Sequence, residues 1–463
     1  MAMRTGIVTA VLAATCATIW AGDAKTFPPL APSSDDAAFG QGIQRTMTLL
    51  ATSTPEHRNK VRVLFYGQSI TEQEWSKIVA EDLRKRFPNA DLEIENRAIG
   101  GFASQLLVRT AEHDLYPFYP DLMIFHVYGG NNEYEQIIAN TRKRTSAEIL
   151  MQKDHVTKWP PEPIDEKKDK GMWWDNLMNH TLLPQIAKKH GCALVDIRNP
   201  WLEYLKANKL EPKDLLKDGV HLNDHGNFLM AELIKRYLVY KPNLPQDTWK
   251  DLVKTVEVGK DVQWKDGKLT LEFEGNRVDL IAAKGDGKTN STVLIDGKKP
   301  SEFPTCYAIT RPSPTQAFFW PGIRQVSWEK PLQLENWIAK ITEANEDATS
   351  FSFEVTGSKT GPDGTGTSDK KFVSNSGRVV IDPSDWWLKA AYDFTKKKLT
   401  PGFEVKWQVK PLFVDTYEAP QTPDASKEYA TTVAQNLPNG KHTLELSGAV
   451  PISAIRVYCP PQK

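Results

Sequence analysis

The chain has no net charge, few cysteines and no long apolar run beyond its first residues. Each shortage closes off a class of protein. Lys and Arg number 58 and Asp and Glu 58, for a formal charge of +0. Nothing in that balance suits a nucleic acid or an anionic membrane surface as partner. Four cysteines in 463 residues are too few for a disulfide scaffold, and none stands with histidine at zinc-ligand spacing. Past the amino-terminal segment no run of about 18 apolar residues occurs, so no membrane span is expected. No internal repeat of fixed period is visible.

The amino-terminal segment is different. "MAMRTGIVTAVLAATCATIWAGDAK" has one early Arg and then an apolar run from Gly6 to about Ala21. That pattern reads as a secretory signal peptide over residues 1–22, and the expected location is secreted or periplasmic. "LAATC" is a poor lipoprotein box, because Thr15 directly precedes the cysteine, so lipid anchoring is not expected. Beyond the leader, Cys306 and Cys459 either pair in an export compartment or stay buried thiols; the sequence leaves both open.

From residue 61 to about 240, strand and helix patterns alternate. "VRVLFYG" (61–67), "DLEIENRAI" (91–99), "DLMIFHVYG" (121–129) and "CALVDIR" (192–198) read as four buried strands. Between them lie helical patterns, such as 72–87 with Trp75, Ile78, Val79, Leu83 and Phe87 on one face, and 104–114. The helix ending in "NHTLLPQIAKKHG" should be kinked near Pro184. "NFLMAELIKRYLVY" (227–240) closes the unit. Alternation of this kind implies right-handed crossovers and one parallel sheet covered on both faces. After Pro242 the pattern changes to short alternating strands, with "DGK" at 266, 286 and 296 and "NGK" at 439 as hairpin-turn signals. Residues 356–371 read as a long exposed loop. The expected organisation is an α/β domain over 23–245 and an all-β sandwich, of jelly-roll type, over 246–463.

The chemistry-bearing residues gather at strand ends, where ligands of open α/β sheets bind. In "VLFYGQSITEQEW" Ser69 follows the first strand directly and opens a helical pattern. Serine is a favoured helix cap, so this position alone does not decide between cap and nucleophile. "GQSIT" also departs from the G-x-S-x-G elbow, since Thr71 stands at the second glycine position. Strand two runs into Gly100 and Gly101, which permit close backbone approach. Strand three runs into "GGNN", where the Asn131 amide suits a developing negative charge. "DGVH" places Asp218 three residues before His221, within reach of orienting an imidazole.

These four stretches resemble the SGNH, or GDSL-type, serine hydrolases, named for Ser, Gly, Asn and His in four blocks. The matching residues are Ser69, Gly101, Asn131 and His221, and the resemblance covers roughly residues 60 to 240. It implies a flavodoxin-like three-layer α/β/α fold and an esterase activity, often removal of acetyl groups from polysaccharides, that needs no cofactor or metal. It also implies roles: Ser69 as nucleophile, His221 as base, Asp218 as its orienter, and an oxyanion hole from the Ser69 and Gly101 backbone N–H groups and the Asn131 side chain. Two positions depart from the family. Gln68 stands where Asp usually precedes the serine, and Asn132 where Asp usually follows the asparagine. Both changes keep hydrogen-bonding capacity and remove negative charge, which would lessen repulsion of an anionic substrate such as an acidic polysaccharide.

Other residues have blander readings. His126, inside strand three, is expected to be a satisfied core histidine. His225, four residues after His221, lacks a third ligand and is expected to be structural. The segment 155–176 is a long insertion with Trp159, Trp173 and Trp174; these rings either stack on sugar or pack the insertion onto the sheet. Trp386 and Trp387 pose the same choice. "NHT" (179–181) and "NST" (290–292) match glycosylation acceptors. The reading that follows is an exported esterase of a carbohydrate or polysaccharide. Its rivals are a lipid or aryl esterase with the same triad, and a protein with an altered site that binds glycan or cleaves a glycosidic bond.

Overall fold

The computed structural model describes residues 26–33, 37–161, 163–244, 252–285, 289–316, 318 and 320–462. The expected signal peptide and the expected boundary at 245/246 lie outside them. In the first part, five strands form one parallel sheet: β1 (Lys60–Gly67), β2 (Asp91–Asn96), β3 (Leu122–His126), β4 (Glu148–Gln152) and β5 (Ala193–Val195). Their order is β2-β1-β3-β4-β5, the flavodoxin-like order that the resemblance implies. The helices in chain order are α1 (Gln44–Ala51), α2 (Ser69–Glu72), α3 (Glu74–Arg86), α4 (Ser104–Asp114), α5 (Asn131–Arg144), α6 (Lys170–Leu177), α7 (Leu183–His190), α8 (Arg198–Asn208) and α9 (Asp224–Tyr237).

The period-2 alternation of strands divides the sheet's side chains between two cores. Val63 and Phe65 of β1 face one way with Ile124 and Leu150, under Trp75 and Val79 of α3 and Leu229 and Ile234 of α9. Leu64 and Tyr66 face the other way with Met123, Phe125 and Met151, under Leu107 of α4, Ile137 of α5 and Ile186 of α7. Every residue of β3 is buried, as a central parallel strand requires.

Several expectations need correction. The sheet has a strand, β4, that the sequence reading passed over; the strand expected at 192–198 is the fifth and spans only Ala193–Val195. The insertion at 155–176 therefore follows β4, and α5 and β4 separate it from the Asn131 block. The helix expected over 72–87 starts at Glu74, because α2 ends at Glu72 and the backbone of Gln73 between them is extended (ψ 170°). The bend expected near Pro184 is a π-helical turn over Met178–Leu182, which realigns the chain before Pro184 removes an N–H from the ladder.

Beyond residue 252 the described residues are mainly antiparallel, in two six-stranded sheets with separate cores and one two-stranded pair, Phe372–Val373 with Val380–Ile381. One holds Lys268–Ala282, Ala430–Ser447 and Ile452–Tyr458 among its strands; the other, inserted between two strands of the first, holds Asn336–Ala344, Phe351–Gly357 and Glu404–Pro411. Asp296 and Gly297 do make a turn with positive φ at both residues (52° and 74°). The "NGK" at 439 instead lies within the long strand Ala430–Ser447, where Gly440 and Lys441 pair with Gly275 and Glu274 just past an interruption of the register between Gln435 and Gly440. Residues 356–371 are not one loop, since Gly361–Thr367 pairs with Phe351–Gly357. Cys306 and Cys459 form no disulfide with each other. Cys306 is a buried thiol, its pKa pushed up to about 12 by burial.

The antiparallel part grips α4 at three points. Arg109 Nε donates to Asp385 Oδ1 at 3.0 Å, and its second guanidinium nitrogen reaches Oδ2. His113 Nδ1 donates to Ile309 O at 3.0 Å. Arg311 Nε and Nη2 donate to Asp114 at 2.8–3.0 Å. A cavity of about 530 Å³ lies at the amino ends of β1 and β3, lined by Lys60 and Asp121 among others. Its guanidiniums are already paired with carboxylates, Arg45 with Asp121, Arg62 with Glu93, Arg277 with Asp279 and Arg456 with Glu428, and it is on the far side of the sheet from the residues below.

Candidate active site

The carboxyl end of β1 delivers Ser69. Gly67 must be glycine there, because a Cβ would stand 2.0 Å from the His126 carbonyl oxygen on β3. The Gln68 carbonyl accepts from the N–H groups of Thr71 (2.8 Å) and Glu72 (3.2 Å), winding the short turn that begins at Ser69. Ser69 is half-buried, and its Oγ lies 3.0 Å from His221 Nε2. His221 Nδ1 donates to Asp218 Oδ2 at 2.9 Å. That bond fixes the proton on Nδ1 and leaves the Nε2 lone pair for the serine hydroxyl.

Asp218 is held by more than the imidazole. Its Oδ1 accepts from the backbone N–H of His221 (2.7 Å) and of Val220 (2.8 Å). These bonds, the His221 N–H foremost, keep the carboxyl well below the usual carboxylate range. Asp218 is therefore ionised wherever His221 can act as a base, although it is half-exposed (51%).

Two side chains absent from the sequence reading hold the residues on either side of His221. Gln73, just past α2, donates through Nε2 to Leu222 O (3.0 Å) and accepts from Leu222 N–H through Oε1 (3.1 Å). One amide thus ties the serine-bearing segment to the histidine-bearing one. On the other flank His155, after β4, bonds Val220 O through Nε2 at 2.8 Å. A carbonyl can only accept, so Nε2 carries a proton. Burial pushes its pKa down to about 4, which keeps the ring neutral. Gln73 sits between α2 and α3 and belongs to no sequence pattern; His155 falls in the insertion, whose conspicuous residues are its three tryptophans.

The second block also meets Ser69. Phe102 N–H donates to Ile99 O at 3.1 Å, closing a turn whose third residue, Gly101, has φ +78°; glycine suits that position. A Cβ on Gly100 would be 3.7 Å from Ser69 Cβ, so the turn packs against the serine. The third block joins the second: Ser104 Oγ donates to Gly130 O at 2.8 Å, and Ser104 N–H to Tyr128 O at 2.9 Å. Asn131 opens α5, and its Nδ2 donates to Asn132 Oδ1 at 3.2 Å. The amide is turned toward its exposed neighbour and makes this bond there. Gln68 is only 7% exposed, so it offers little surface to a substrate.

The insertion forms one wall. Tyr128, Thr157, Ile164, Met172 and Val220 border a cleft of about 390 Å³ next to the histidine-bearing loop. Trp174 is 38% exposed and lines a smaller cleft with Gly129. Trp159 is half-buried and donates to Glu211 Oε2 at 2.6 Å, a packing role; Trp173 is half-buried in α6. His126 pairs with Asp154 (2.7 Å) in the core, and His225 stacks on Phe27 at 4.4 Å. Asn179 is fully buried on Asp154, so the "NHT" site is closed to glycan. Among the described residues no group of three or more His, Cys, Asp or Glu side chains is arranged to hold a metal ion, and no helix is long and apolar enough to cross a membrane.

No protein-family model and no curated protein matches the chain. Solved structures do match. Axe2, an acetylxylan esterase from Geobacillus stearothermophilus, is 18% identical, with 40% of this chain and 97% of that one covered and a TM-score of 0.34. A two-domain esterase (CEX) active on acetylated mannans is 15% identical, with 92% and 97% covered and a TM-score of 0.34.

Proposed function

We propose that the chain is a serine esterase that removes a small acyl group, acetyl by preference, from a carbohydrate. One observation carries the reading: the unbroken hydrogen-bond chain Ser69 Oγ, His221 Nε2, His221 Nδ1, Asp218 Oδ2, at 3.0 and 2.9 Å. In this account Ser69 Oγ attacks the ester carbonyl while His221 Nε2 takes its proton, and Asp218 stabilises the imidazolium. The N–H groups of Ser69 and Gly101, joined by the turned Asn131 amide, receive the charge on the tetrahedral oxygen. His221 then protonates the departing sugar hydroxyl. Water, deprotonated by the same nitrogen, releases the acid and restores Ser69.

Support for a carbohydrate comes from the resemblance of the four blocks and from the exposed ring of Trp174 beside the third of them; a flat aromatic face suits a sugar ring. The signal-peptide pattern expected over residues 1–22 supports an exported enzyme. The test is hydrolysis of p-nitrophenyl acetate, butyrate and octanoate by the mature protein with Ser69→Ala as control, followed by acetylated polysaccharides. Acetate turnover lost in Ser69→Ala is expected. Preference for octanoate would favour the lipid esterase, and Ser69-independent or absent turnover would overturn the proposal.

A further inference from the structure

The antiparallel part sends one side chain into the candidate site. Trp320 Nε1 donates to the carbonyl oxygen of Gly100 at 2.6 Å. The same indole covers Gly101, where a Cβ would stand 2.9 Å from Trp320 Cζ2. The carbonyl of Gly100 and the N–H of Gly101 belong to one planar trans peptide, so they point in opposite directions. Pinning the carbonyl on the indole fixes the N–H on the side away from it. A hydrogen bond accepted by that carbonyl also polarises the peptide and makes its N–H a better donor.

Trp320 is itself held. Gly322 N–H donates to Pro312 O at 3.1 Å and Gly322 O accepts from Trp387 N–H at 3.0 Å, so the backbone two residues after Trp320 is tied down by both its polar groups. The indole lies against Phe102 (6.1 Å between centroids), Trp387 (6.3 Å) and the 65%-exposed ring of Phe394 (5.3 Å). The ion pairs from Arg109 to Asp385 and from Arg311 to Asp114 brace α4, which starts three residues after Gly101.

We infer that Trp320 is a positioning residue for the oxyanion hole, aiming the Gly101 N–H, and that the antiparallel part is a working part of the catalytic site. This role rests on the esterase reading above. It predicts a loss in kcat rather than in ground-state binding, because the tetrahedral oxygen and not the ester carbonyl is what the N–H meets.

The test is Trp320→Phe, which keeps an aromatic side chain and removes the donor to Gly100 O. With p-nitrophenyl acetate, kcat should fall roughly 10–100-fold, short of the roughly 10²–10³ of an oxyanion donor removed outright, with KM unchanged. Phenylboronic acid, whose adduct with Ser69 puts an oxygen in the same place, should bind more weakly by a similar factor. Should Trp320→Phe fail to fold, Phe394→Ala, which frees the outer face of the indole, should show the same kcat-only loss in smaller measure. A kcat within twofold of wild type in the folded variant, beside an inactive Ser69→Ala, would overturn this role and leave the esterase standing. Wild-type protein without Ser69-dependent turnover would overturn both.

Discussion

Gln73 bridges the two halves of the proposed triad, and its loss should show in both stability and rate. Gln73→Met keeps the length of the side chain and removes both bonds to Leu222, at 3.0 and 3.1 Å. Two neutral hydrogen bonds at about 1 kcal/mol each set a destabilisation of about 2 kcal/mol. Leu222 O keeps a long bond from Asn227 Nδ2 (3.4 Å), so the carbonyl is not wholly abandoned, but the Leu222 N–H is. Leu222 follows His221 directly, so slack there moves the imbidazole-bearing residue against Ser69. A misplacement of about 1 Å costs on the order of 100-fold in rate. Urea unfolding and kcat on p-nitrophenyl acetate measure the two effects. Lys77→Ala, on an exposed salt bridge of α3, is the control and should change neither by much. A Gln73→Met variant with wild-type kcat would refute the clamp.

Three more outcomes are expected. His113 and His155 are buried and neutral, their pKa pushed down to about 4 from 6.5 by burial; the unfolded chain binds more protons between those values, so stability falls as pH drops through that window, by about 3 kcal/mol for each ring. Burial raises the pKa of Asp114, Glu148 and Asp175, which opposes the loss at the acid end, so the measurement is the difference between wild type and His155→Gln in urea midpoints from pH 7 to 5. Gly67→Ala sets a Cβ 2.0 Å from the His126 oxygen and should destabilise by at least the roughly 1–3 kcal/mol of ordinary overpacking, seen as a lowered Tm; an unchanged Tm would show that β1 and β3 separate easily. Gln68→Asp should slow deacetylation of a uronic-acid polysaccharide relative to a neutral one, and equal rates before and after would remove the charge argument for that position.

Patterns carried by many residues were legible in the chain, and arrangements made by single contacts were not. β1, β3 and α4 announce themselves through apolar runs and helical spacing, and the segments after β1, β2 and β3 and before α9 carry the four blocks with Ser69, Gly101, Asn131 and His221. β4 escaped because "EILMQ" follows α5 after three residues, without the Gly or Pro punctuation that marks the other strands. The loop expected at 356–371 pairs as a hairpin even though it is rich in glycine, since Phe351 and Phe353 on the partner strand supply the core contacts. Gln73, His155 and Trp320 act through backbone atoms 149, 65 and 220 residues away. No local pattern encodes such a bond. The run of aromatics ending at Trp320, followed by Pro321 and Gly322, was the one available sign of a ring presented on a turn.

The central claim is that Ser69 becomes acylated. The most direct measurement is mass spectrometry of the protein quenched in acid during turnover of p-nitrophenyl acetate, with peptide mapping. The account predicts one added acetyl group on the peptide that contains Ser69, absent in Ser69→Ala and cleared with time in wild type. Acetyl on other residues only, or turnover with Ser69 unmodified under conditions where deacylation is slowed, would contradict it.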